Sequence, residues 1–81
     1  MKITQVGSNQ TLVTFSNEDE VFYSYDTPVA GWDCGTGYWI SERKYSRTTS
    51  KHVSKYANTA YVRILNDEQV ADKLASYGLN K

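Results

Sequence analysis

Residues Gly37–Tyr56, GYWISERKYSRTTSKHVSKY, decide how this chain is read. Tyr38-Trp39-Ile40-Ser41 is aromatic and branched, as a strand is. Arg43 to Arg47 has no clear period, and a hydroxyl-rich stretch follows. Thr48 or Thr49 is suited to cap a helix, its hydroxyl accepting from a backbone N–H that the first turn leaves free. Val53, Tyr56 and Ala57 fall at helical spacing, which predicts a helix from about Thr49 to Ala57. Strand therefore gives way to helix inside one basic segment.

On the N-terminal side the signals are all β. Lys2 to Val6 and Gln10 to Phe15 flank the turn Gly7-Ser8-Asn9 and predict a hairpin. Ser16 to Glu20 is a polar break. In Val21 to Asp26, Val21, Tyr23 and Tyr25 share one face while Phe22 and Ser24 take the other. Thr27-Pro28 interrupts pairing, because proline has no N–H, and predicts a kink, bulge or edge position. Val29 to Trp32 continues as strand, and Asp33 to Gly37 is turn chemistry. On the C-terminal side Tyr61 to Leu65 is extended, as an added strand. Asn66, with Gln69 three residues on, predicts a capped helix whose stripe is Val70, Ala71, Leu74, Ala75 and Tyr77, closed by Gly78 at C′. The expectation is a single α+β domain over residues 1–81: an antiparallel meander of four or five strands with two helices packed on one face of it.

The 81 residues carry nine cations and nine acids, so the chain is neutral overall. That argues against a general polyanion binder, which needs net positive charge. The distribution is uneven. Up to Asp33 the only cation is Lys2, against Glu18, Asp19, Glu20, Asp26 and Asp33; from Arg43 to Lys55 there are Arg43, Lys44, Arg47, Lys51 and Lys55 and no acid. Such a separation either steers a charged partner or is neutralised within the fold. The single Cys34 excludes an intramolecular disulfide and a cysteine-rich zinc site. No run is apolar enough to span a membrane, and no signal peptide is evident, which points to a reducing cytosol.

Candidate chemistry is sparse. The basic segment interleaves Arg43, Lys44, Arg47, Lys51, His52 and Lys55 with Tyr38, Trp39, Tyr45 and Tyr56. These residue types suit either a protein interface or single-stranded nucleic acid, where cations meet phosphates and rings stack on bases. Cys34 and His52 would be a nucleophile and base only with an orienting group and an oxyanion pocket, and no motif supplies either. His52 alone is a packing or capping residue, with no ligand spacing for a metal. Glu18, Asp19 and Glu20 are acids in a loop, where solvation is the plain expectation. No cofactor is expected.

Two blocks bear a family likeness: Phe22-Tyr23-Ser24-Tyr25-Asp26-Thr27-Pro28-Val29-Ala30, and Lys44-Tyr45-Ser46-Arg47-Thr48-Thr49-Ser50-Lys51-His52-Val53. Over the first two thirds of the chain they resemble a family of small proteins found mostly in tailed bacteriophages, with F-S-Y-x-T-P-V-A and Y-S-x-T-T-S-K-H-I motifs. The resemblance lends no catalytic residues. It implies a non-enzymatic accessory protein that works in the host bacterial cytoplasm by binding a host protein, as anti-defence inhibitors do. A small nucleic-acid-binding domain and a self-assembling structural component are the alternatives. The residues expected to meet the partner are Arg43, Lys44, Arg47 and Lys51, with Tyr38, Trp39 and Tyr45 beside them.

Overall fold

A computed structural model describes residues 1–43, 46–59 and 61–79. The elements run β1 Lys2–Gly7, β2 Gln10–Thr14, β3 Glu20–Ser24, β4 Thr27–Asp33, β5 Gly37–Ser41, α1 Arg47–Tyr56, β6 Val62–Leu65 and α2 Asp67–Ser76. The six strands form one sheet in sequence order. The first five pair antiparallel, as the short turns between them require. β6 is the added strand. It lies parallel to β5, with Ile40 opposite Ile64, and α1 is the crossover that parallel pairing demands. The α+β class is as expected, with one strand more than the meander of four or five.

The helices correct the expectation of a single covered face. Val21, Trp39, Leu65, Val70 and Leu74 form one core with α2, and Phe22, Val29 and Ala30 form another with Leu12, Ile40, Val53 and Tyr56 of α1. Successive strand residues point to opposite faces, so Val21-Phe22 and Trp39-Ile40 each place a large apolar group on both sides. The sheet is therefore buried between two helices along its centre. Phe22 stacks on Tyr56 at 4.6 Å on one side, and Phe15 on Tyr77 at 4.3 Å on the other.

Local signals explain the boundaries. Proline 28 has the expected effect: Phe22 pairs with Ala30 and Tyr23 with Pro28, leaving Val29 as the extra residue of a bulge. The cap of α1 is Ser46 and not Thr48 or Thr49; its Oγ accepts from Thr49 N at 3.3 Å. Thr49 is instead buried, with its Oγ1 3.1 Å from Ser24 Oγ. The α2 signals hold as read. Asn66 Oδ1 accepts from Gln69 N at 2.8 Å, and Gln69 Oε1 from Asn66 N at 2.9 Å. At the other end Gly78 has φ 80°, Gly78 N donates to Ala75 O and Leu79 N to Leu74 O, and Leu79 folds back onto the core. Among the described residues no helix is long and apolar enough to cross a membrane.

Trp39 is 0% exposed, and Gly31 on the neighbouring strand makes room for it. A Cβ on Gly31 would lie 2.5 Å from the indole and 2.5 Å from the Glu20 carbonyl oxygen. The ring is already wedged on its other side by the α2 core, so it has nowhere to retreat. Gly31→Ala is expected to lower the unfolding free energy by about 3 kcal/mol, the upper range for overpacking. Urea unfolding of the variant checks this, and an unchanged midpoint would contradict the packing described.

Candidate functional site

The basic segment becomes a ridge on α1. Arg47, Lys51 and Lys55 are four residues apart and exposed, so they line up along the solvent face of the helix. Thr49, His52, Val53 and Tyr56 occupy the opposite face, toward the sheet. No acid stands in the first turn. Among the described residues, none of the three ridge cations forms a salt bridge. Ser50 and Ser54 flank the ridge and, with Arg43, line a groove of about 220 Å³ between α1 and the end of β5.

The other expected contacts divide. Arg43 is exposed, but its Nε lies 3.0 Å from Asp67 Oδ1, in a surface pair of small energetic weight. Trp39 is corrected outright: it is core, because its strand position faces α2. Tyr38 is half-buried on the α1 face, edge-on to Tyr56 at 5.5 Å. Lys44 and Tyr45 lie outside the described residues. Lys55, on the same i, i+4 spacing as Arg47 and Lys51, joins the ridge; the sequence spacing was the signal for it.

Three of the five N-terminal acids, Asp19, Glu20 and Asp33, do not stay in solvent. Asp19 and Asp33 are buried at the α2 face of the sheet, at the end where the β2–β3 and β4–β5 turns meet. Asp33 accepts from the Lys73 ammonium, from Arg63 Nη2 at 3.0 Å, from Thr36 Oγ1 at 3.1 Å and from Tyr77 Oη at 2.8 Å. Asp19 Oδ1 accepts from Cys34 N at 2.8 Å, and its Oδ2 is 2.8 Å from the same Tyr77 Oη. The single Tyr77 proton serves one carboxylate at a time. On the opposite face Glu20 accepts from Tyr56 Oη at 2.8 Å. The acidic loop expected to be solvated is thus largely structural, with Glu18 left exposed.

Burial would push the Asp33 carboxyl up, but the bonds from Lys73, Tyr77 and Thr36 and the Lys73 charge outweigh it and hold the group below the usual carboxylate range. Burial, reinforced by the carboxylates they bond, pushes the Tyr56 and Tyr77 hydroxyls well above the ordinary tyrosine range. These knots tie both helices to the sheet.

His52 Nδ1 lies 2.9 Å from Ser24 Oγ, which also meets Thr49, so the histidine packs as expected. Ser24 is 1% exposed, out of reach of a substrate. Ser24 and Cys34 sit beyond opposite ends of β4, so the fold keeps Cys34 and His52 apart. Cys34 is exposed in its turn. Among the described residues no three His, Cys, Asp or Glu side chains are grouped to hold a metal ion.

Asp33→Asn would leave Lys73 part-buried without its counter-charge and is expected to cost about 3 kcal/mol near neutral pH. Because the folded pKa of Asp33 lies below its unfolded value, its contribution is complete above the unfolded value of about 4 and is lost as pH falls through the lower folded one. The contributions of Tyr56 and Tyr77 have the opposite sign: complete below about pH 10 and lost as pH climbs through their raised values. Urea melts across pH check both. If the Asn variant kept the full acid-side decline of the native protein, Asp33 would not be its source.

No curated protein and no solved structure matches the chain. One family model, described as a family of unknown function (DUF8033), matches residues 1–73, from β1 into the second half of α2. The match takes in the whole sheet, α1 and the residues of the cationic ridge, and on that coverage the chain belongs to this family of unknown function.

Proposed function

We propose that this protein is a non-enzymatic bacteriophage accessory protein that binds a host bacterial protein, seating the Arg47–Lys51–Lys55 ridge of α1 on an acidic surface of that partner. The phage origin rests on the resemblance of the two sequence blocks to small tailed-phage proteins. That origin favours a component of a bacterial defence system as the target, with the protein acting in the host cytoplasm as a stoichiometric inhibitor.

The observation that carries the reading is charge the fold does not use. Arg47 occupies the first position of α1, where the helix dipole favours an anion. Like charges four residues apart cost a helix a few tenths of a kcal/mol per pair. Both effects weaken α1, and an anionic surface against the ridge would turn both in its favour. Meanwhile Asp19, Asp33 and Glu20 are engaged within the fold, so the acids expected to neutralise the ridge are elsewhere.

A nucleic acid would also be drawn to three aligned cations. The protein reading is favoured because Trp39 is core and Tyr38 is half-buried against Tyr56, which removes two of the rings expected to stack bases. Among the described residues the ridge supplies attraction without the stacking platform that single strands require.

Recovery of bound protein from bacterial lysate, by the native chain and by an Arg47→Glu, Lys51→Glu, Lys55→Glu variant, tests the reading. The variant should fold, since all three side chains are exposed, and recovery should fall at least tenfold (about 1.4 kcal/mol). Labelled oligonucleotides at low salt, where counterion release makes such binding strongest, form the control arm. Equal recovery by both proteins would move the contact elsewhere. Tight oligonucleotide binding that the variant loses would replace the protein partner with a nucleic acid.

A further inference from the structure

Among the described residues six large apolar side chains are exposed: Met1, Ile3, Val6, Tyr25, Tyr61 and Ile64. Five of them belong to the two outermost strands or the residue just before them. Met1, Ile3 and Val6 mark β1, 73%, 65% and 47% exposed; Tyr61 and Ile64 mark β6, 88% and 64% exposed. β1 and β6 are the open edges of the sheet. Each therefore combines unpaired backbone N–H and C=O groups with apolar side chains, the combination that recruits another strand.

Natural edges are usually blunted by charge, and these are weakly guarded. β1 has Lys2 and a shift in register between Gln5 and Gly7. The cation of β6, Arg63, is turned toward Asp33. β1 is largely exposed on both faces, and α1 reaches the groove beside Val6 with Lys55 and Tyr56. On the α2 face a groove of about 480 Å³ runs along Met1, Ile3, Val13, Tyr23 and Leu79, and on the α1 face one of about 280 Å³ runs along Val6, Leu12 and Phe22.

We infer that the chain associates with itself head to tail, the β6 edge of one copy joining the β1 edge of the next. Three observations select a second copy as the occupant. Every chain has one edge of each kind, so a single repeated contact covers both. Five antiparallel strands followed by a parallel one leave β6 running in the same direction as β1. A second copy set beside the first with α1 and α2 on their own faces therefore brings β6 against β1 as a parallel pair, the relation β5 and β6 already have. In that arrangement Ile64, on the α1 face, comes to the groove beside Val6, and α2 of the added copy comes alongside the groove at Ile3. The five side chains, 47% to 88% exposed, supply apolar area toward the ~1,200 Å² at which specific interfaces begin, and the backbone ladder and flanking groups add to them. A contact between two different edges does not close on itself, so it builds an open chain of copies.

Sedimentation velocity of the full chain over a range of concentrations, with two variants blocked on one edge each, tests this. Ile3→Lys with Val6→Lys blocks β1, and Ile64→Lys blocks β6. The native protein should form species of three and more copies that grow with concentration. Each variant alone should lose everything above the monomer. Mixed in equal amounts, the two variants should give a single species of twice the chain mass, because one retains an intact β6 and the other an intact β1. That recovery also shows that both variants are folded. A native protein that stays monomeric would overturn the inference. So would a dimer that survives Ile64→Lys, which would mark pairing of two β1 edges, or a mixture that remains monomeric.

Discussion

Adjacent residues on a strand cannot share a face, and this constraint organises the whole molecule. Val21 beside Phe22, and Trp39 beside Ile40, commit the sheet to burial on both sides. Among the described residues there are two helices to do it with, and each takes one face. Trp39 fills the α2 side against a glycine, and Phe22 with Tyr56 fills the α1 side. The cores are small, and a domain this size has little stability to spare. That is why the polar ties between helix and sheet matter. Asp33 with Lys73 and Tyr77, and Glu20 with Tyr56, fasten α2 and α1 where the apolar contacts run out.

The same ties sort the charges. Five acids lie in the first 33 residues, and the fold takes three of them as acceptors for tyrosines, for Lys73 and Arg63, and for the Cys34 amide. Asp67 is matched to Arg43 on the surface. The cations of α1 find no such partners among the described residues, and they stand in register along its outer face. A neutral protein thereby acquires a locally positive side. This is the physical basis for placing a partner on α1, where the field of the ridge would act at short range through salt.

Two helices of ten residues can shield the middle of a six-stranded sheet but not its borders. The uncovered area falls where Met1, Ile3 and Val6 lie on one side and Tyr61 and Ile64 on the other. Exposure at the edges and charge on α1 are thus separate consequences of one layout. They meet at one place, where Lys55 of the ridge lines the same groove as Val6 of β1, so contact at that edge reaches the end of the ridge.

Much of this was legible in the chain itself. Turn residues and β-branched runs located the four or five strands of the meander, Pro28 marked an interruption that the structure makes a bulge at Val29, and Asn66, Gln69 and Gly78 set both ends of α2, because such signals act within a few residues. The strands-then-helices order suggested one covered face; the second came from the consecutive apolar pairs Val21-Phe22 and Trp39-Ile40, whose two-sided burial was not read from the sequence. The four-residue spacing of Arg47, Lys51 and Lys55 was visible. What the sequence alone did not determine is which groups meet across long separations. Asp19 and Asp33 meet Tyr77, Thr49 caps nothing because Ser24 holds it, and Trp39 turns inward instead of joining the cations. Each depends on strand register and on the face a helix chooses. Those are settled only when distant segments pack, because the gain from burial belongs to the assembled layers and to none of the segments alone.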